Sequence, residues 1–137
     1  MKTALAFLVA GLVACGSVDK HDPRLDGVWV SDRDKTLAQI DDMRVSAERL
    51  GFLREHLGGL RYCFSGNRTA SYFGDSSEVQ LNIYSVAEST PSSVTVAVGI
   101  DKVGTFYFGD ECIHHEVPGW GYKEYFCRRP GVQNPCE

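Results

Sequence analysis

The sequence lacks an excess of basic residues and lacks the common cofactor and nucleophile motifs. Fourteen lysines and arginines stand against eighteen aspartates and glutamates in 137 residues, a formal charge of −4. The chain as a whole therefore offers no cationic surface for nucleic acid. It contains no P-loop, no Rossmann glycine run, no His-Glu-x-x-His and no Gly-x-Ser-x-Gly. We expect a protein that is not an enzyme, with no catalytic residues, no metal and no cofactor.

Apolar runs long enough to cross a membrane are also missing. Lys2 precedes an apolar run from Ala4 to Ala14, which is too short to span a hydrocarbon core of ~30 Å as a helix. A positive charge followed by such a run is typical of a secretory signal, and a buried N-terminal helix is the alternative. We therefore expect residues 1–14 to be a signal peptide.

The end of this run, Leu12-Val13-Ala14-Cys15, resembles the lipobox of bacterial lipoproteins. The resemblance implies cleavage between Ala14 and Cys15, a diacylglycerol on the Cys15 sulfur and an acyl chain such as palmitate on the new amine. Several acyl chains make a stable membrane anchor. Because Gly16 and not aspartate follows the cysteine, it also implies the outer membrane, facing the periplasm, or the cell membrane in a Gram-positive organism.

The remaining length suits a single domain. We expect a lipidated cysteine and linker over residues 15–25 and one domain over residues 26–137. A short strand with Val28 and Val30 opposite Trp29 comes first, and two short helices follow within residues 32–58. Ser31 with Asp34 resembles a capping box at the start of the first helix, and the second begins near Ser46.

From Leu60 onward the apolar period is two, which predicts seven further strands. We place them at residues 60–65, 68–73, 79–84, 94–100, 103–108, 111–117 and 120–127. Consecutive hairpins give antiparallel pairs, and a closed sheet has no exposed edge. The expected fold is mainly β, an eight-stranded antiparallel up-and-down barrel, with a β-sandwich as the alternative. The side chains expected to point inward are bulky: Leu60, Tyr62, Phe64, Val79, Leu81, Ile83, Val94, Val96, Val98, Ile100, Phe106 and Phe108.

Four cysteines remain after Cys15, which in an exported chain indicates two disulfides; a zinc site is the alternative, but no Cys-x-x-Cys spacing supports it. If the last hairpin loop is 118–121, Cys112 lies directly opposite Cys127. The tail can then pass the first strand and bring Cys136 to Cys63 on the second. We therefore predict Cys112–Cys127 and Cys63–Cys136.

Gly27-x-Trp29 on the first strand, followed by a strand meander, resembles the lipocalin (calycin-type) barrels. The resemblance implies that Trp29 closes one barrel end against a basic residue of the last strand, Arg128 or Arg129. The segment from Gly27 to Asp32, together with the end of the last strand, is also similar to small bacterial lipoproteins of no established activity.

The candidate functional side chains are few. His114 and His115 are adjacent on a strand, so they face opposite sides and cannot share one metal without a bulge. Four aromatic residues near the last hairpins could form a partner surface, or could simply pack the barrel: Tyr107, Trp120, Tyr122 and Tyr125. Two function classes follow: a protein-interaction or inhibitor module with an envelope protein partner, or a lipocalin-like carrier of a small apolar ligand. We favour the module, because a barrel filled by bulky side chains has no room for a ligand.

Overall fold

The computed structural model describes residues 21–41 and 44–137. The predicted signal peptide, Ala14 and the predicted anchor Cys15 lie outside the described residues. The bounds of the regular elements, in chain order, are a 3₁₀ turn Pro23–Leu25, β1 Gly27–Ser31, α1 Arg33–Asp41, α2 Ala47–His56, β2 Leu60–Ser65, β3 Arg68–Phe73, β4 Asn82–Ser89, β5 Ser93–Val98, β6 Lys102–Phe108, β7 Cys112–Glu116 and β8 Lys123–Arg128.

The strands form a closed barrel in sequence order, β1 to β8, and every neighbouring pair is antiparallel. β8 returns to β1, with Trp29 opposite Arg128 and Ser31 opposite Phe126. This confirms the predicted up-and-down barrel and rules out the sandwich. Two short helices lie between β1 and β2, as predicted.

The barrel has two different ends. The turns at residues 66–67, 90–92 and 109–111 meet at one end, together with the 3₁₀ turn; we call it the closed end. The loops at residues 74–81, 99–101 and 117–122 meet at the other, beside α1 and α2; we call it the helix end. None of the helices in the described part of the chain is long and apolar enough to cross a bilayer.

Large side chains fill the barrel interior. Six of its core residues are no more than 1% exposed: Leu25, Phe64, Tyr84, Val94, Ile113 and Phe126. Aromatic rings meet edge to face within it, including Phe64 with Tyr84 at a centroid distance of 5.4 Å. Edge-to-face packing is the arrangement that ring quadrupoles favour. The interior therefore resembles a packed core.

Leu25 belongs to this core although it lies in the predicted linker. The 3₁₀ turn begins after Asp22, which accepts a hydrogen bond from the backbone N–H of Arg24, and it inserts the fully buried Leu25 into the closed end. Residues 22–25, which the sequence analysis assigned to the linker, therefore pack with the barrel. An isolated apolar residue beside a Pro-Arg pair carries no periodicity, so the sequence pattern gave no sign of this insertion.

The prediction of a strand over residues 79–84, with Val79, Leu81 and Ile83 pointing inward, was wrong in its bounds and in the side chains that face the core. β4 begins at Asn82, Leu81 and Ile83 are 41% and 62% exposed, and Tyr84 and Val86 face the core instead. Val79 packs outside the wall, on a second apolar cluster formed by residues such as Cys63 and Cys136. An apolar side chain such as Val79 can therefore be buried on the outer face of the wall, so the alternation at residues 79–83 did not show which side chains point into the barrel.

Two other predictions also fail, namely the inward position of Ile100 and the capping role of Ser31. Ile100 is fully exposed in the β5–β6 turn, beyond the end of β5 at Val98. Asp32, and not Ser31, caps α1, since the backbone N–H of Lys35 donates to Asp32 Oδ1 at 2.9 Å. The Ser31 hydroxyl is already occupied inside the barrel, where it donates to Glu124 Oε1 at 2.8 Å and accepts from the Gly58 N–H at 3.2 Å.

Disulfides join Cys112 to Cys127 and Cys63 to Cys136, the two predicted pairs. Cys112 lies directly opposite Cys127 in the β7–β8 register, and the Val117 N–H donates to the Tyr122 carbonyl at 2.9 Å. This register agrees with the 118–121 hairpin loop considered above. Cys63 and Cys136 are both fully buried on the outer side of β2, where the C-terminal tail covers the wall.

Candidate functional site

Trp29 and Arg128 close one end of the barrel together. The Trp29 Nε1–H donates to the Leu25 carbonyl at 2.7 Å, and the Arg128 guanidinium lies over the indole ring, 4.5 Å from its centroid. Arg128 Nη2 also donates to the Arg24 carbonyl at 2.7 Å. The predicted partner of Trp29 is thus present, and it binds the same 3₁₀ turn that plugs the barrel.

A second arginine, Arg24, also covers the closed end, next to Arg128. Arg24 forms an ion pair with Asp22 at 2.7 Å, donates to the Thr90 carbonyl at 2.8 Å and stacks on the Phe108 ring at 4.3 Å. The hydrogen bond from Arg24 lowers the pKa of Asp22, and the same bond raises the pKa of Arg24. A wide groove of about 830 Å³ lies here. Two of its arginines already have protein partners, so we assign this end a structural role.

The four aromatic residues predicted as a partner surface do not form one surface. Tyr122 is only 8% exposed, because it lies beneath α1 and α2 in a cluster with Ile40 and Leu53. Trp120 is covered from two sides, by Phe52 at a ring distance of 5.8 Å and by the Arg49 guanidinium at 4.9 Å. The prediction is wrong for Tyr122, whose position in the β7–β8 loop places it under the helices.

Tyr107 and Tyr125 remain on the outer wall, on either side of His114. The Tyr107 and His114 rings are nearly parallel at 5.2 Å, and Tyr125 is 5.1 Å from His114 on its other side. Burial, followed by the charge of Lys123, lowers the pKa of His114. Tyr107 stacks on His114, whereas the Tyr125 ring is tilted by 47° from His114 and has the Lys35 ammonium 5.3 Å from its centroid, so each ring already has a neighbour within the protein.

His115 points the opposite way, into the barrel, as adjacent strand residues must. Its ring packs against three aromatic rings, those of Tyr62, Phe106 and Phe126, at 5.3–5.9 Å. Its Nδ1 lies 3.1 Å from the carbonyl oxygen of Glu116, and its Nε2 lies 3.4 Å from the Tyr62 hydroxyl. Since a carbonyl can only accept, Nδ1 carries the proton in the neutral ring and Nε2 accepts from Tyr62.

A recess opens in the wall next to His115. β6 and β7 pair only at Tyr107–His114 and Phe108–Ile113, so they diverge toward the helix end. The gap has a volume of about 410 Å³, and its lining includes Tyr62, Gly104, Phe106 and His115, with Glu116 at its rim. Gly104 lies opposite the buried Val96, and a Cβ at Gly104 would meet nothing within 4 Å. We call this cavity the β6–β7 recess.

A buried carboxylate lies behind the recess. Glu124 is 8% exposed, lies opposite His115 in the β7–β8 register and accepts a hydrogen bond from Ser31. Within residues 21–41 and 44–137 it has no ion pair with lysine or arginine. Burial, and then the charge of Glu124, raises the pKa of Tyr62 to about 12. The Tyr62 phenol is therefore a neutral donor at physiological pH.

The sequence interpretation missed this site. Glu124 was not considered because charged residues are rarely buried, although it lies two residues before Phe126 and so shares its inward face. In the described part of the chain no group of three or more His, Cys, Asp or Glu side chains could hold a metal ion. Comparison with protein-family models, with curated proteins and with solved structures found no match for this chain.

Proposed function

We propose that the protein is a lipid-anchored envelope lipoprotein that acts as a non-catalytic protein-interaction or inhibitor module. Its partner is another envelope protein, and its binding surface is the helix end of the barrel. The observation that carries the proposal is the placement of exposed apolar side chains. The argument has three parts: that placement, the position of the tether, and the filled interior.

Exposed apolar residues are concentrated at the helix end. Phe73 at the end of β3 is 56% exposed, Ile83 near the start of β4 is 62% exposed, and Val103 on β6 is 67% exposed. Ile100, at the tip of the β5–β6 turn, is fully exposed. We call these four residues the apolar rim. Exposed apolar side chains that are concentrated at one end of a molecule are typical of a protein contact.

The rim lies at the opposite end of the barrel from the predicted tether. The chain enters the domain at Asp22, at the closed end. If Cys15 carries the lipid, six residues separate the anchor from Asp22, and the seven Cα–Cα steps between the two reach at most about 25 Å. The tether thus holds the closed end near the membrane and leaves the rim free to meet a partner.

The second candidate is a carrier of a small apolar ligand, as the lipocalin resemblance implies. The Trp29–Arg128 contact favours it, since that resemblance predicted this pair. The packed interior argues against it, because Phe64, Tyr84 and Phe126 occupy the space that such a ligand would need. We therefore place the interaction module first.

Site-specific photo-crosslinking in the native envelope tests the rim. We would place a photoreactive amino acid at Ile100 or Val103, and at Arg129 on the closed end as the control. The proposal predicts one discrete protein adduct from both rim positions and none from Arg129. Equal labelling from all three positions, or no adduct at all, would contradict it.

Two further measurements address the anchor and the carrier alternative. Cys15→Ser should release the protein from the membrane fraction and change its mobility, and unchanged association would remove the anchor from the proposal. Native mass spectrometry of protein purified from its own envelope should retain a protein partner. A retained small apolar molecule would favour the carrier.

A further inference from the structure

We propose that the β6–β7 recess is a binding site for a small organic ammonium ion. The recess adjoins the apolar rim, because Val103 also lines it, but this inference does not rest on the proposed function. It is carried by three observations: the arrangement of aromatic rings, the charge around the cavity, and the open space at Gly104.

The walls of the recess are three rings that stand almost at right angles to one another. The Tyr62 and Phe106 planes meet at 79°, Tyr62 and His115 at 81°, and Phe106 and His115 at 89°. Their centroids are 5.4–5.9 Å apart. Rings set in this way form a corner, and the negative faces of aromatic rings attract cations, above all substituted ammonium groups.

The charges around the recess have the sign that such a ligand requires. Glu116 lies at its rim, and none of the residues that line it is lysine or arginine. Lys123 is opposite Glu116 in the β7–β8 register but does not line the cavity. Glu124 does not line the recess either, but it lies opposite His115 and is buried without an ion pair among the described residues. Buried carboxylates usually have a counter-charge, and a bound ammonium ion would supply one.

The space in the recess exists because residue 104 is a glycine. Val96 lies opposite it on β5 and Phe106 two residues further along β6, and both point into the core, but at Gly104 itself the strand presents no side chain. The resulting volume of about 410 Å³ lies within the range of small-ligand pockets. An anion would be repelled by Glu116 and Glu124, and a neutral molecule of the same shape would lose the attraction to the rings. An ammonium ion therefore fits the site best.

The test compares choline with its uncharged isostere, 3,3-dimethyl-1-butanol. Each is titrated into the full chain, purified from its own envelope in a non-ionic detergent, and followed by NMR of the His115 and Tyr62 resonances. Choline should bind with a dissociation constant at least about tenfold lower than that of the alcohol, since the uncharged alcohol makes none of the cation–π contacts. Equal affinities, or shifts that do not involve these two residues, would overturn the proposal.

Two variants locate the site. Gly104→Val should fill the recess and reduce choline affinity at least about tenfold. Ser85→Val, at an exposed position of β4 that does not line the recess, should not. Glu124→Gln keeps the shape and the acceptor for Ser31 but removes the charge, so it should weaken choline and leave the alcohol unchanged. Glu55→Gln on α2 is its charge-matched control.

Near-UV circular dichroism must show that each variant keeps the native fold. If Glu124→Gln fails to fold, Gly104→Val alone decides the matter. Unchanged choline affinity in a folded Gly104→Val variant would overturn the proposal.

Discussion

The two ends of this barrel are built on different principles. At the closed end, Leu25 is completely buried, and Trp29 and Arg128 both bind the backbone of the 3₁₀ turn that contains it. At the helix end, Ile100 and Val103 are exposed. The closed end has its apolar groups covered and its polar groups paired. The helix end buries Tyr122 beneath its helices but leaves the apolar rim exposed.

The strand pairing follows the same division. β2 and β3 are joined by six residue pairs and β5 and β6 by another six, but β6 and β7 by only two. Both disulfides lie toward the closed end: Cys112 begins β7, Cys127 lies near the end of β8, and Cys63 is next to the buried Phe64. The comparison teaches that stability is concentrated at the closed end. The helix end is therefore free to carry function.

The largest effect is expected when each of the two disulfides, which both lie toward the closed end, is removed in turn. Replacing Cys63 and Cys136 together by Ala should cost about 4 kcal/mol of unfolding free energy, because the bridge closes a loop of 73 residues. Replacing Cys112 and Cys127, 15 residues apart, should cost about 3 kcal/mol. Urea unfolding without reductant measures both. A larger loss for the shorter loop would contradict the chain-entropy ranking.

A second test makes the same substitution at both ends. Leu25→Ala should destabilise the fold by about 3 kcal/mol, since it removes a fully buried side chain and leaves a cavity. Leu81→Ala, 41% exposed near the helix end, should cost well under ~1 kcal/mol. The ratio of the two urea midpoint shifts is the measurement. Similar shifts would mean that the 3₁₀ turn is not part of the core.

The third test uses alkaline pH. Burial raises the pKa of Tyr62 to about 12, above the value of about 10 in an unfolded chain. The folded state therefore holds this proton more tightly. Its contribution to stability is complete below about pH 10 and is lost as pH rises through 12. Urea midpoints between pH 9 and 12 should fall less steeply in Tyr62→Phe than in the parent. Tyr107→Phe, on the outer wall, is the control, and equal slopes in all three proteins would refute the assignment.

Much of the closed end could be predicted from local pattern. Two-residue alternation located most strands, and the hairpin register paired Cys112 with Cys127 because a short loop fixes which residues lie opposite. The resemblance of Gly27-x-Trp29 to the lipocalin barrels predicted that an arginine of the last strand packs against Trp29. These features depend on residues that are close in sequence or on a known motif.

The helix end was less predictable because its contacts join distant parts of the chain. Glu124 is buried by a hydrogen bond to Ser31, 93 residues away, and neither residue signals the other in the sequence. The charge of Glu124 alone would favour an exposed position. The β6–β7 recess arises from two strands that diverge, and strand divergence leaves no periodic trace. Gly104 was the visible clue, since a glycine inside a strand marks a missing side chain.

The smallest expected effect sharpens the account of the closed end. Arg128→Lys keeps the charge but loses the planar guanidinium over Trp29 and its geometry toward the Arg24 carbonyl. An exposed cation–π contact and one charged hydrogen bond together make a loss of about 1 kcal/mol the expected result. Arg129→Lys, the next residue along the exposed tail, is the matched control and should change stability by no more than a few tenths of a kcal/mol. Trp29 fluorescence gives a second readout, because the indole loses a stacked neighbour only in the first variant. If both variants behaved alike, the Trp29–Arg128 contact would not be what holds the 3₁₀ turn in place, and Leu25 burial alone would account for the closure.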